Sequence, residues 1–203
     1  MVSIKFLVLT WDDLYWLTVK LAEKIEESGY RPDVIVGIAR GGWVIARLLS
    51  DFLSISEVAS IRIEFYKSIG KTMEKPRIKQ PVTTDVRNKK VLLADDVADT
   101  GGSLIIARDH IREYGARDIK IGVLHKKPWC KIEPDFYVDL VDAWIVYPHE
   151  YKETIKEIVR RELENGIKEV KLLKEKLVNI GFTRKVVEYF LPKVLKELSS
   201  PSL

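Results

Sequence analysis

The stretch VLLADDVADTGGS, residues 91–103, joins two local patterns that decide the fold. Its first four residues are apolar without interruption, which is typical of a strand buried on both faces of a sheet. Two acids end this run, and a Thr-Gly-Gly-Ser turn then leads into residues 104–114, whose apolar spacing predicts a helix. A buried strand followed by a glycine turn and a helix is the repeating unit of a parallel sheet.

The same order of strand, glycine turn and helix occurs once more, earlier in the chain. Residues 34–39, VIVGIA, predict a strand, Arg40-Gly41-Gly42 interrupts it, and residues 43–52 predict a helix. Short apolar runs predict four more strands, at 58–63, 119–124, 137–140 and 143–146. We therefore predict an α/β fold of three layers, with a mostly parallel twisted sheet and helices on both of its faces. Ligands of such sheets bind at the carboxyl ends of the strands, where both glycine turns would lie.

The rest of the chain divides into a helix before the sheet and two segments that stand apart. Thr10, followed three residues later by Asp13, is a good N-cap for a first helix. Residues 66–87 show little periodicity, which predicts a long mobile loop or a twisted flap. Residues 150–203 carry apolar residues at helical spacing and predict a helical C-terminal extension to a domain of residues 1–149.

Composition and charge exclude several classes of protein. The chain has 203 residues and a formal net charge of +4, and its single cysteine, Cys130, excludes an internal disulfide framework or a multi-cysteine metal site. No apolar run approaches the roughly 20 residues of a membrane span, and residues 1–6 lack the features of a signal peptide, so we expect a cytoplasmic protein without a membrane partner. Residues 150–203 contain twelve Lys and Arg against nine Asp and Glu, but the signs alternate, which favours a solvated helix face over a nucleic-acid surface.

Residues 95–103 combine groups that suit a phosphate with groups that suit hydroxyls. The glycine pair allows the backbone to approach an anion closely. Its N–H groups, the hydroxyls of Thr100 and Ser103 and the positive end of the helix can together hold a phosphate monoester. The acids Asp95 and Asp96 suit sugar hydroxyls or a nearby divalent cation. A ribose 5-phosphate fits this layout, although an Asp-rich turn after a buried strand would have the same composition.

Residues 92–103 resemble the phosphoribosyl pyrophosphate (PRPP) signature of the type I phosphoribosyltransferases. This resemblance implies the type I phosphoribosyltransferase fold, with Asp99 as the general base of the reaction. It also implies that Asp95 and Asp96 interact with Mg²⁺ indirectly or through the PRPP hydroxyls. The implied site for the ribose and the 5-phosphate consists of Asp95, Asp96, Asp99, Thr100, Gly101, Gly102 and Ser103.

The turn after the first predicted strand extends the resemblance. Residues 38–42, Ile-Ala-Arg-Gly-Gly, resemble the pyrophosphate loop of the same family, where backbone amides and the arginine receive the leaving pyrophosphate. In this family the loop often contains a cis peptide bond that does not involve proline. Arg-Gly-Gly alone is also typical of an ordinary turn, and its position one strand and helix before the signature favours the functional interpretation. The implied pyrophosphate site is Ala39, Arg40, Gly41 and Gly42.

The region after the signature indicates which base accepts the ribose. Lys127, residues 135–139 and residues 142–148 resemble the base-binding region of the bacterial xanthine-guanine phosphoribosyltransferases. The resemblance implies that Lys127 donates to the 6-oxo group of a purine, that Trp144 stacks on the ring and that Ile145 offers backbone groups to the 2-position. An ordinary surface lysine and a half-buried core tryptophan are the structural alternatives for Lys127 and Trp144.

Together these motifs imply a purine salvage enzyme. It would use Mg²⁺ and transfer the 5-phosphoribosyl group from PRPP to a 6-oxopurine (hypoxanthine, guanine or xanthine), giving the nucleoside 5′-monophosphate and pyrophosphate. His149-Glu150 departs from the aromatic and the acid of the bacterial relatives, so the choice among these purines stays open. The alternatives are another base, such as adenine, uracil or orotate, or a non-catalytic PRPP-sensing regulator of nucleotide-metabolism genes. Many members of the family are oligomers, which implies a homo-oligomer here.

Overall fold

The computed structural model describes residues 5–67 and 74–199, which contain eight strands and six α-helices. In chain order the elements are β1 (Phe6–Val8), α1 (Trp11–Glu27), β2 (Val34–Ala39), α2 (Gly41–Phe52), β3 (Val58–Lys67), β4 (Glu74–Gln80), β5 (Lys90–Ala98), α3 (Gly102–Glu113), β6 (Asp118–Lys126), β7 (Phe136–Leu140), β8 (Trp144–Val146), α4 (Tyr151–Glu164), α5 (Val170–Ile180) and α6 (Arg184–Ser199). The predicted strands are all present, most of them with extended boundaries. In the part of the chain that is described, no helix has the length and apolar character that crossing a membrane requires.

Six of the strands form one sheet in the order β4-β3-β2-β5-β6-β7. All neighbours are parallel except β4, which pairs antiparallel to β3 at the edge. From β2 the chain crosses to β3 on one side, and from β5 it crosses to β6 on the other side. The strand order therefore reverses between β2 and β5, and ligands of open α/β sheets bind at the carboxyl ends of the strands at such a point.

Helices cover both faces of this sheet. On one face Leu21 and Ile25 of α1 lie next to Gly122 of β6, and Ala46 of α2 lies against Gly37 of β2. On the opposite face α3 shares a buried aliphatic cluster with alternate residues of the central strands. Because neighbouring residues of a strand point to opposite faces, the continuous apolar runs of β2 and β5 serve both layers. The predicted three-layer fold is confirmed.

The segment 66–87 is more regular than the sequence predicts. Residues 74–80 form strand β4, so the loop interpretation is wrong for this part of the segment. The composition of β4, EKPRIKQ, does not reveal a strand, because Lys and Pro are typical of edge strands, which they protect from further pairing. Residues 68–73 lie outside the described residues, so the mobility of the flap stays a prediction.

The chain divides into two compact units. We call residues 15–142 the sheet unit, and the described residues of 1–14 and 143–203 the helical unit. In the helical unit β1 pairs parallel with β8, and α4, α5 and α6 surround a hydrophobic cluster that includes Val146 of β8. The predicted helical extension is confirmed. Residues 143–149 cluster with these helices, and the functional boundary at residue 149 stays a prediction.

The first helix begins as the sequence predicts. The Thr10 hydroxyl accepts a hydrogen bond from the Asp13 N–H at 3.1 Å. The Asp13 carboxylate in turn accepts hydrogen bonds from the Thr10 hydroxyl at 2.6 Å and from the Thr10 N–H at 2.8 Å, and these two bonds lower the pKa of Asp13. Such a capping box satisfies N–H groups that have no partner within the helix.

Candidate active site at the carboxyl ends of β2 and β5

The carboxyl ends of β2 and β5 lie side by side at the centre of the sheet. Residues 34–37 pair with residues 91–94 in parallel register, so the turn after β2 and the acids after Ala94 lie at the same edge. Strand β5 continues through Asp95 and Asp96, and is therefore longer than its apolar run predicts. The sheet brings together the two motifs that the sequence singles out.

Two glycines allow the turn after β2 to approach the acids of β5 closely. A side chain at Gly41 would collide with the Asp96 carboxylate. A side chain at Gly42 would collide with the Ala94 carbonyl, and its Cβ would lie 2.8 Å from Asp95 Oδ1. Residues 41 and 42 therefore have to be glycine for the turn and the acidic pair to keep these positions.

Arg40 stands where this turn enters α2. The peptide bond that joins it to Ala39 is cis, as the resemblance implies. Arg40 occupies the N-cap position of α2, and its side chain is exposed. The N-terminus of a helix carries partial positive charge, so the guanidinium and the helix end both favour an anion at this turn.

The two acids differ in their surroundings. Asp95 is buried, and its Oδ1 accepts a hydrogen bond from the Asp96 N–H at 3.0 Å. Burial, together with the neighbouring Asp96 carboxylate, raises the pKa of Asp95 well above its usual value, while hydrogen bonds from the Asp96 and Gly42 backbone oppose this rise. A hydroxyl donor or a cation beside the pair would favour the ionised form of Asp95.

The acidic pair fits Mg²⁺, which prefers oxygen ligands. Among the described residues, no cluster of three or more His, Cys, Asp or Glu side chains is arranged to hold a metal ion. A cation beside Asp95 and Asp96 would therefore need further oxygens from water or from a bound ligand. The role that the resemblance implies for the PRPP hydroxyls stays a prediction.

The turn from β5 leads into the N-terminus of α3, and we call residues 99–103 the phosphate turn after the group that the sequence predicts there. Gly101 is the N-cap of α3 and has φ = 85°, a left-handed conformation that glycine adopts without strain. The Thr100 hydroxyl accepts a long hydrogen bond, 3.5 Å, from the Gly102 N–H. Ser103 lies in the first turn of α3, where backbone N–H groups and the helix dipole attract anions. The turn suits a phosphate monoester.

A second loop, residues 127–132, packs against the phosphate turn. The Lys127 N–H donates to the Ala98 carbonyl at 2.9 Å, and the Lys131 N–H donates to the Thr100 carbonyl at 3.3 Å. These two backbone hydrogen bonds hold the 127–132 loop, with the lysine predicted to read the base, directly beside the residues predicted to bind PRPP.

Within this loop the Trp129 indole links Asp99 and Lys127. Its Nε1–H donates to Asp99 Oδ1 at 2.8 Å, and Lys127 Nζ lies 5.5 Å from the centre of its ring. Lys127 is buried, so it is not an ordinary surface lysine. Burial lowers the pKa of Lys127, and the nearby charges of Asp99 and Asp142 oppose this shift. No motif singles out Trp129, and its nearness to Lys127 in the chain is the only sequence signal for it.

Trp144 and Ile145 lie on β8, in the helical unit. Trp144 is 59% exposed, so it is not a half-buried core aromatic. Ile145 is buried, and the Trp144 N–H donates to the Lys5 carbonyl at 2.8 Å. The sheet unit thus brings together the residues predicted for PRPP and Lys127, while the roles of Trp144 and Ile145 stay predictions.

Comparison with known families identifies the class of protein to which this fold belongs. The family model described as phosphoribosyl transferase domain matches residues 10–156, well over half of the chain. The chain therefore belongs to the phosphoribosyltransferase family, whose enzymes use PRPP and a base as substrates. Its sheet and helices accordingly form the type I phosphoribosyltransferase fold.

Particular relatives agree with this membership. A xanthine-guanine phosphoribosyltransferase of Nitratidesulfovibrio vulgaris is 30% identical over 147 residues, which cover 71% of this chain and 84% of the relative. The crystal structure of a purine phosphoribosyltransferase from Pyrococcus horikoshii Ot3 is 41% identical, with a TM-score of 0.65, and the match covers 72% of this chain and 94% of the other. A bifunctional protein PyrR of Clostridium perfringens is 34% identical over 111 residues, covering 50% of this chain and 62% of the relative.

Proposed function

We propose that this chain transfers the 5-phosphoribosyl group of PRPP to a 6-oxopurine (hypoxanthine, guanine or xanthine) in purine salvage. The products are the nucleoside 5′-monophosphate and pyrophosphate. The observation that carries the proposal is the contact of Asp99 and Lys127 with one indole, that of Trp129, beside the phosphate turn. Attack by a 6-oxopurine requires two groups. One is a carboxylate that can take a proton, and the other is a buried ammonium that can donate to a carbonyl.

PRPP would bind along the edge formed by the ends of β2 and β5. Its 5-phosphate is held by the N–H groups and hydroxyls of residues 100–103, at the N-terminus of α3. Its ribose hydroxyls donate to the carboxylates of Asp95 and Asp96. Its pyrophosphate lies on residues 39–42, where the Arg40 guanidinium and the backbone N–H groups of the glycine turn are the donors.

The reaction breaks the bond between ribose C1 and the pyrophosphate oxygen, and forms a bond between C1 and a purine nitrogen. The bonding electrons leave with the pyrophosphate, so positive charge develops on the ribose and negative charge on the leaving group. Arg40 and the N-terminus of α2 stabilise this negative charge. Mg²⁺, when bound beside Asp95 and Asp96, would neutralise part of it.

Two residues of the sheet unit would act on the base. Asp99 takes or shares the proton of purine N7 as general base, which makes the attacking ring more nucleophilic. Lys127 selects a 6-oxo group, because an ammonium donates to a carbonyl but has no acceptor for an amine. For Trp144 and Ile145 of the helical unit, the sequence resemblance alone implies stacking on the ring and backbone contact with the 2-position.

The names of the relatives support a purine acceptor, since two of them are a purine and a xanthine-guanine phosphoribosyltransferase. The match to a bifunctional PyrR keeps a regulator as the second candidate, although that match is shorter. A regulator that contacts nucleic acid needs a concentrated basic face. Residues 150–203 alternate charges of both signs, which favours the enzyme.

An assay of pyrophosphate release tests the proposal. The purified protein is given PRPP and Mg²⁺ together with hypoxanthine, guanine, xanthine, adenine, uracil or orotate in turn. We expect turnover with one or more of the three 6-oxopurines and none with the other bases. Turnover with adenine or a pyrimidine would contradict the assignment of the acceptor. If no base gives pyrophosphate release but calorimetry still detects PRPP binding, the result would favour the regulator.

A further inference from the structure

Trp129 lies at the candidate active site but belongs to none of the motifs that the sequence singles out. Its indole Nε1–H donates to Asp99 Oδ1 at 2.8 Å. Among the side chains that the structure describes, no other one hydrogen-bonds this carboxylate. The indole is therefore the group that restricts the orientation of the Asp99 side chain.

The backbone holds Trp129 and Asp99 opposite each other. The Lys127 N–H donates to the carbonyl of the residue before Asp99 at 2.9 Å, and the Lys131 N–H donates to the carbonyl of the residue after it at 3.3 Å. Two hydrogen bonds thus join the 127–132 loop to the chain on either side of Asp99. A contact supported in this way costs little additional ordering when substrate binds.

The same indole also contacts the ammonium of Lys127. Nζ lies 5.5 Å from the ring centre, within the range in which an aromatic face attracts a cation. Burial opposes the charged form of this lysine, and the ring offers a compensating attraction. One side chain therefore touches both groups of the sheet unit that the proposed reaction applies to the base.

We propose that Trp129 is a positioning residue: its N–H orients the Asp99 carboxylate toward the purine, and its ring places the Lys127 ammonium for the same base. This inference rests on the proposed function. With one carboxylate oxygen held by the indole, the other is directed at the proton of the purine, and general-base catalysis depends on such alignment. Trp129 acts through Asp99 and exchanges no proton itself.

The Trp129→Phe variant tests this role, because it keeps an aromatic six-membered ring and lacks the indole N–H donor. We expect kcat to fall about ten-fold, the effect of losing one hydrogen bond to a charged group, while KM for PRPP stays unchanged. Trp16→Phe is the matched control, since Trp16 on α1 is 56% exposed and Trp129 is 51% exposed. The control should keep wild-type kcat, and an unchanged kcat in Trp129→Phe would overturn the proposal.

A double variant shows whether Trp129 acts through Asp99. In the Asp99→Asn background, Trp129→Phe should cause no further fall in kcat, because the base that it orients is already absent. A second ten-fold fall would mean that the two effects are independent and would overturn the positioning role. Full activity of Asp99→Asn alone would instead reject the general base, and with it the mechanism on which the inference rests.

A measurement on the substrate-free protein tests the contact without catalysis. In a ¹H–¹⁵N NMR spectrum the Trp129 indole resonance is identified as the one that Trp129→Phe removes. It should shift in Asp99→Ala and stay in place in Asp109→Ala, since Asp109 lies on α3 and pairs with Arg108 there. An unmoved resonance in Asp99→Ala would overturn the proposal. A shifted resonance in a protein inactive on every base would uphold the contact and reject the proposed function.

Discussion

The sheet unit and the helical unit bury titratable side chains in different surroundings. Among the described residues, the sheet unit buries Asp95, His125 and Lys127 near the carboxyl ends of β5 and β6, whereas the helical unit buries Glu162. Burial raises the pKa of Asp95, lowers that of His125 to about 4 and lowers that of Lys127. Glu162 forms an ion pair with Lys176 of the next helix, at 2.6 Å.

This difference separates the sheet unit, which holds Asp99 and Lys127 of the proposed site, from the buried cluster of the helical unit, which contributes packing. A charge removed from water destabilises the folded state, so groups whose pKa is shifted by burial concentrate where they bind or react. The hydrophobic cluster of the helical unit follows ordinary core packing, and among the described residues that pack against it only Tyr151 has a pKa that burial raises. Substitutions at the carboxyl edge of the sheet should therefore change turnover, and those in the cluster should change stability.

Among the substitutions that test the difference between the two units, we expect the largest effect from a substitution of Asp99. Asp99→Asn keeps the shape of the side chain but removes the proposed base, so kcat should fall by about 10²–10⁴. The affinity for PRPP, measured by calorimetry, and the melting temperature should stay near those of the wild type. Asp109→Asn on α3 is the control and should keep wild-type turnover. Unchanged turnover in Asp99→Asn would show that Asp99 is not the general base, and the sheet unit would lose its main proposed catalytic residue.

The second prediction concerns the core of the helical unit. Leu191 is fully buried in the hydrophobic cluster, so Leu191→Ala should lower the free energy of unfolding by about 2–5 kcal/mol in urea titrations. The kcat/KM of the folded variant should match the wild type. Leu172→Ala, at a position that is 47% exposed on α5, should change stability by less than about 0.5 kcal/mol. A parallel loss of kcat/KM in Leu191→Ala would contradict the prediction that the cluster affects stability and not turnover.

At Lys127 we expect a smaller effect, confined to the purine. Lys127→Ala removes a charged donor, so KM for the purine should rise by roughly 10- to 100-fold with little change in KM for PRPP. Lys131→Ala is the matched control, because Lys131 lies in the same loop and bonds the phosphate turn through its backbone. An equal rise in both KM values would show that Lys127 supports the site in general and does not read the base.

The smallest effect is expected at the start of α1, and it depends on pH. Thr10→Ala removes the cap and should lower the free energy of unfolding by about 1 kcal/mol at pH 7. Hydrogen bonds from Thr10 lower the pKa of Asp13 in the folded chain, so their stabilisation is present above the unfolded value, about 3.9, and is lost as the pH falls through the lower folded value.

Urea titrations of the wild type and Thr10→Ala, at pH 7 and near pH 3, measure this dependence. The difference in stability should narrow at the acidic pH. Thr10→Ser keeps the hydroxyl and should retain both the stability and its pH dependence. A difference that is equal at both pH values would mean that the ionised Asp13 does not contribute to the cap.

The centre of the sheet could be predicted because its signals are local. A strand buried on both faces has no polar positions, and a turn that approaches another chain segment closely needs glycine, so β2, β5 and the turns after them are visible in the sequence. The residues predicted to bind PRPP could be located because they lie in or next to the same turns. Their meeting at one edge follows from the parallel pairing of β2 with β5.

Features that depend on tertiary contacts could not be predicted in this way. Strand β1 has three residues and pairs with β8, so no periodicity marks it. Strand β4 is polar and contains Pro76, which suits an edge strand but resembles a loop. The hydrogen bond between Trp129 and Asp99 depends on how two loops meet, and no local pattern encodes such a meeting.

The pairing of β1 with β8 has a consequence for the order in which the chain folds. The whole sheet unit lies between these two strands in the sequence. During synthesis β1 leaves the ribosome before the sheet unit, and its partner β8 follows only after the sheet unit is complete. Domains generally fold as units as they emerge. The nascent chain can therefore assemble the sheet unit, with Asp99 and Lys127 of the proposed site, before β1 can pair with β8 and pack with the helices that follow it.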